Sequence, residues 1–203
     1  MKLYYLPGAC SLAAHIALEW TGQPYETHRL SRDELQSPEF LKINPMGAVP
    51  ALADGDWTLS QNAAVLEYIV ELHPGCGLLG DGSPRGRAEV RRWLGFLNSD
   101  LHKTFSLVFG PQRFLSDPVA QEALRAGAAG QLRRLFGVLD ARLEGREWLA
   151  GGRSVADPYL YVVLRWAQGK DIDLSGYGNL AAFRQRMEDD PGVQRALEEE
   201  GLS

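Results

Sequence analysis

Cysteine is scarce in this chain: Cys10 and Cys76 are the only two among 203 residues, and they stand far apart. Neither has a CxxC companion or a histidine at metal-ligand spacing, so the pattern holds neither a disulfide framework nor a metal site. Long apolar runs are missing as well. No segment approaches the roughly 18 apolar residues of a membrane span, and Pro7 and Gly8 break the N-terminal run before it could act as a signal peptide. There is no Lys/Arg-rich block either. The net charge of −5 comes from 21 basic and 26 acidic residues scattered along the chain, which argues against nucleic acid as a partner. These absences leave a cytoplasmic protein in which any cysteine chemistry is that of a free thiol. What is present, 45% apolar and 23% charged residues, suits one large domain or two small ones.

The first half mixes short extended runs with helices. "KLYYL" reads as a strand, "SLAAHIALEWTG" has helical periodicity ending at Gly22, and "YETHRL" alternates like a second strand. Ser37 and Pro38 open a short helix that must end before Pro45. Asp54-Gly55, between apolar runs, is a tight-hairpin signal, and residues 61–73 form a helix closed by Pro74. The expected order is β-α-β, then β-β-α. A stretch rich in Gly and Pro, 74–83, reads as a linker between domains at 1–73 and 84–203, the second of them all-helical. In that second part, Ser83-Pro84 opens a helix running to Gly110-Pro111 and Asp117-Pro118 opens another reaching about Gly145. Ser154 with Asp157 three residues later is a variant capping box ahead of a nearly all-apolar, buried helix. The fold class is therefore α/β plus all-α.

Cys10 lies at the mouth of the first helix, where free backbone N–H groups and the positive helix end favour a thiolate. The alternative is a small buried structural residue. Along the helix from Pro84, Val90, Trp93, Leu97, Leu101, Phe105 and Val108 make a core stripe, while Ser99, His102, Lys103 and Ser106 make a polar one that could line a cleft. A lone helical histidine is as a rule solvated or structurally bonded, and that reading stays open for His102. Val49-Pro50 opens a strand, where proline belongs at an edge, a bulge or a cis turn; a cis bond would turn the N–H and C=O of Val49 outward to a peptide-like ligand. Ser60, Gln61 and Asn62 stand at a helix start, suited to capping or to a carboxylate.

Together "YYLPGACS", "INPMGAVPAL", "LSQNAAVLEYI", "DLHKTFSLVF" and "SVADPYLYVVLRWA" resemble, in order and over essentially the whole chain, the bacterial beta class of the glutathione transferases. The resemblance implies an N-terminal thioredoxin-like domain, a C-terminal helical bundle, glutathione as co-substrate, no metal, and a homodimer. Its activity would be conjugation of glutathione to small hydrophobic electrophiles, thiol-disulfide exchange through Cys10, or both. A non-catalytic ligand- or protein-binding module of the same fold is the alternative. Position by position, the resemblance puts Cys10, His102 and Lys103 at the glutathione sulfur. Val49 before Pro50 would meet the cysteinyl backbone, and Gln61 and Asn62 the γ-glutamyl end. Ser99 and Asp100 would contribute across a subunit boundary. Beta-class members usually carry Glu where Gln61 stands and Asn where Gly95 stands, and the loop at Arg32 has no counterpart of the family's glycyl-binding lysine.

Overall fold

The structure, a computed structural model, describes residues 1–202. Four strands form one mixed sheet: β1 (Lys2–Tyr5), β2 (Glu26–Arg29), β3 (Ala51–Asp54) and β4 (Trp57–Ser60), in the order β2-β1-β3-β4. β1 and β2 run parallel, and β1–β3 and β3–β4 antiparallel. The parallel pair demands a crossover, which α1 (Ser11–Thr21) supplies. Gly22 ends that helix at φ 66°, its N–H bonded to Glu19 O, a left-handed termination natural to glycine. The hairpin turn lies at Gly55-Asp56, one residue beyond the Asp-Gly signal, with Asp54 paired to Trp57. All four residues of β2 are exposed, so its alternation records an edge strand rather than a half-buried one.

α2 (Pro38–Ile43) begins where Ser37 Oγ accepts the Phe40 N–H at 3.2 Å, and α3 (Asn62–Leu72) follows β4. The remaining helices among the described residues are α4 (Pro84–Phe96), α5 (Lys103–Phe109), α6 (Pro118–Leu143), α7 (Ala156–Gln168), α8 (Gly178–Glu188) and α9 (Pro191–Glu200). The single helix expected from Pro84 to Gly110 is instead α4 and α5 joined through a π-helical segment, Leu97–His102. Such wide turns recur at functional sites. The expected core stripe is present, with Val90, Trp93, Leu97, Leu101 and Phe105 all buried.

α7 is buried from Ala156 to Leu164. One half of its capping box closes: Asp157 accepts from the Ser154 N–H at 2.7 Å, and its other oxygen takes the Leu149 N–H at 3.0 Å. Ser154 Oγ donates to Asp157 at 3.0 Å instead of capping the Asp157 N–H, and Val155 stands at the helix start. Burial pushes the Asp157 carboxyl up to about 7, against the pull of those donors. One continuous apolar core runs from Leu3 in the sheet through α1 and α7 to Leu197 in α9, so both halves of the chain pack as a unit. At this shared core the sheet end of α1 meets the helical half, and there the residues singled out above assemble.

Candidate active site

The loop from Leu6 to Ala9 aims the head of α1. Ser11 Oγ bonds the Leu6 N–H and C=O, both at 3.3 Å, and Ala9 N–H closes a turn on Leu6 O at 3.0 Å. Two distant residues hold the tip: Glu200 Oε2 accepts from the Gly8 N–H at 2.9 Å, and the Trp166 indole N–H donates to Gly8 O at 2.8 Å. Behind the loop His15 is fully buried, with Nδ1 3.1 Å from Glu200 and Nε2 2.9 Å from Glu199. Burial alone would depress the His15 pKa, but the two carboxylates outweigh it and raise it.

Cys10 is only 8% exposed. Burial pushes its thiol up to about 12, beyond what the N–H groups of Cys10 and Ser11 pull down. The sequence-based expectation of a thiolate therefore fails on desolvation: the helix end is there, but burial outweighs it. The neutral thiol donates to Val49 O at 3.2 Å. The Val49-Pro50 bond is cis. The preceding loop is knit by Asn44, whose Nδ2 donates to Ala48 O at 2.6 Å and whose Oδ1 accepts from the Met46 N–H at 3.1 Å. Gly47 in that loop has φ 57°, and a Cβ there would lie 2.8 Å from Leu35 O, so no other residue fits.

At the head of α3, Gln61 adopts φ 74°, ψ 114° and gives no side-chain cap to the helix. A non-glycine residue held at positive φ stores strain of the kind that gathers at ligand sites. Asn62 is 4% exposed; neither amide atom makes a close hydrogen bond among the described residues, and the Tyr159 hydroxyl feels the amide only as a weak neighbour that pulls its pKa down. A buried amide without partners costs about 1–3 kcal/mol.

His102 enters from the helical half at the end of the π segment. Its Nδ1 lies 2.6 Å from the Tyr159 hydroxyl, which also bonds Asn98 Oδ1 at 3.1 Å. Burial lowers the His102 pKa below the ordinary imidazole value, and burial with the nearby Cys10 sulfur raises that of Tyr159. The Trp166 ring centroid is 4.9 Å from that of His102, 5.4 Å from Phe105 and 5.3 Å from Phe109. This aromatic wall leads outward to Phe109, which is 43% exposed. Lys103, Ser99 and Asp100 are exposed, and Ser99 Oγ bonds Gly95 O and Asp100 Oδ2, each at 2.8 Å.

The chain thus brings together a thiol, a cis-proline turn, a strained helix start and a histidine from its other half. Residues 1–71 match the family description "Glutathione S-transferase, N-terminal domain" and residues 97–191 "Glutathione S-transferase, C-terminal domain". The chain belongs to the glutathione S-transferase family. A glutathione S-transferase of Xanthomonas campestris pv. campestris is 48% identical over the full length of both chains. The solved glutathione S-transferase of Xylella fastidiosa has TM-score 0.97 and 50% identity, covering 100% of this chain and 99% of that one. The bacterial beta class transferase of Sphingomonas chungbukensis has TM-score 0.89 and 38% identity over 100% of both. The thioredoxin-like α/β half, the helical half and the transferase activity implied by the resemblance stand on these likenesses.

Sequence reasoning missed several contributors in this glutathione transferase. Tyr159 and Trp166 read as core of an apolar helix, and only the fold turns their polar atoms to His102 and Gly8. Phe105 and Phe109 carried a signal, since aromatics four apart share a helix face. Beside Leu6 and Pro7 an open cleft of about 420 Å³ carries Arg29, at the end of β2, and Arg32, in the loop after it, cations to which periodicity alone gave no role. No helix among the described residues is long and apolar enough to cross a membrane.

Proposed function

We propose that this transferase binds glutathione along the face formed by Cys10, Val49-Pro50 and the head of α3, and conjugates it to small hydrophobic electrophiles. The observation that carries the reading is Asn62: a buried amide with neither polar atom in a close hydrogen bond, beside the strained Gln61, suits a ligand with both donor and acceptor groups. The γ-glutamyl ammonium and carboxylate are such groups. The Gln61 carbonyl accepts from the ammonium, and the first N–H groups of α3 face the carboxylate. The Val49 backbone pairs with the cysteinyl residue. Arg29 and Arg32 meet the glycyl carboxylate.

At the sulfur, His102 and Lys103 stabilise negative charge, and the aromatic wall of Trp166, Phe105 and Phe109 receives the electrophile. The protonated Cys10 is a hydrogen-bond donor near that sulfur, so conjugation dominates over disulfide exchange. The protein acts in the cytoplasm as a homodimer, with Ser99 and Asp100 reaching the partner's glutathione. The test is to follow conjugation of glutathione to a chloronitrobenzene while weighing the intact protein after incubation with oxidised glutathione. Turnover that persists in Cys10→Ala, with little mixed disulfide in the parent, is expected. Rapid stoichiometric adduct at Cys10 would favour exchange instead, and no binding of glutathione in either form would refute the reading.

A further inference from the structure

The Tyr159 hydroxyl has a single proton to give and stands between Asn98 and His102. The Asn62 amide is a weaker third neighbour, which pulls the hydroxyl's pKa down and so acts on it only as a donor. Its hydroxyl is 3.1 Å from Asn98 Oδ1 and 2.6 Å from His102 Nδ1. A carboxamide oxygen only accepts, so Tyr159 donates to Asn98. Nδ1 then meets the lone pairs of the hydroxyl oxygen, and the short contact places a hydrogen on Nδ1. A neutral imidazole with its hydrogen on Nδ1 has a bare Nε2. The reverse arrangement, with Tyr159 donating to Nδ1, would leave the Asn98 oxygen without its donor.

The surroundings agree. Tyr159 is fully buried, so water does not compete for its hydroxyl. Asn98 and His102 stand four residues apart in the π segment, and both reach the one hydroxyl from α7. The groups facing His102 are Tyr159 from α7, with Cys10 beyond it at the head of α1, and the Trp166 ring. Of the charged groups next to it in the chain, Lys103 is exposed and Asp100 is engaged by Ser99. None of the bonds to His102 comes from a carboxylate, so the hydroxyl alone sets the tautomer.

We propose that Tyr159, oriented by Asn98, is a positioning residue that holds His102 in its Nδ1–H form and so makes Nε2 the acceptor of the glutathione thiol proton. The inference rests on the glutathione-binding reading above and gives His102 a specific task within it. The S–H bond breaks, its electron pair stays on sulfur and its proton moves to Nε2. The resulting imidazolium keeps its Nδ1–H on the Tyr159 oxygen. The thiolate attacks the electrophilic carbon, a carbon–sulfur bond forms, halide departs, and His102 returns its proton to solvent.

Tyr159→Phe keeps the buried ring and removes the bond. The readout is the ultraviolet thiolate absorbance of bound glutathione titrated with pH, alongside steady-state kinetics. Losing an acceptor for a charged imidazolium should move the titration up by about one pH unit and lower kcat below neutrality by about tenfold. KM for glutathione should stay within about twofold, because Tyr159 acts through His102 and touches no substrate. Asn98→Leu should shift the titration in the same direction. The double variant Tyr159→Phe with His102→Asn should be no slower than His102→Asn alone. An unchanged titration in Tyr159→Phe, or losses that multiply in the double variant, would overturn the positioning role while leaving the transferase reading intact. A parent protein that binds no glutathione would overturn both.

Discussion

Alkylation of Cys10 is where the buried thiol and an activated thiolate differ most. In a Cys76→Ser background Cys10 is the only thiol, and burial holds it at about 12. At pH 8 such a thiol is ionised to roughly one part in 10,000, against roughly a quarter for a free cysteine near 8.5, a ratio of about 2,400. Nucleophilicity rises with basicity, and a Brønsted slope of about 0.45 over about 3.5 pH units returns roughly 40-fold. The remainder is a rate about 60-fold below that of a free thiol, before the steric cost of a side chain only 8% exposed is added. Iodoacetamide treatment followed by intact mass, with N-acetylcysteine as the reference thiol, measures this. The rate should also climb about tenfold per pH unit from pH 7 to at least pH 10. Alkylation as fast as the reference, or a plateau near neutral pH, would mean that the positive end of α1 prevails over desolvation.

Three further outcomes follow from other parts of the molecule. Asp157→Ala strands the buried Leu149 and Ser154 N–H groups and should cost about 3–5 kcal/mol in urea unfolding, seen as a lower midpoint at constant slope. Asn62→Ala removes no close hydrogen bond of the unliganded protein, so its melting temperature should change little, while glutathione affinity measured calorimetrically should drop about tenfold. His15 has a folded-state pKa raised above its unfolded value near 6.5, so its contribution is complete below that pH and disappears as pH rises through the folded value. Stability should therefore fall from pH 6 upward in the parent and lose that component in His15→Gln, as unfolding midpoints across the range would show.

Local signals were legible where a residue's own chemistry sets the backbone. Pro38, Pro84 and Pro118 mark helix starts to the residue, Ser37 caps as its type suggests, and Asp157 reaches back to the Ser154 N–H. The core stripe of the long helix was legible from spacing alone, but the π segment within it was not, because a wide turn changes the phase of a helix without demanding a special residue. The head of α1 was visible and the ionisation of its thiol was not. A helix end is a local property, while desolvation comes from α3, α7 and the Pro50 loop folding over it. For the same reason Tyr159 looked like filling. Its ring is apolar core, and what its hydroxyl does depends on Asn98 and His102, some sixty residues earlier in the chain.

The clasp between Gly8 and Glu200 joins residues 192 positions apart. On the ribosome the loop that aims Cys10 is made well before its anchor in α9. The thioredoxin-like half can thus acquire its sheet during synthesis while the loop before Cys10 stays unanchored until α9 arrives to engage Gly8 and His15. Competence to process glutathione is in this way deferred until α9 is made, and a chain that stalls before Glu200 would carry a formed sheet with an unclasped thiol.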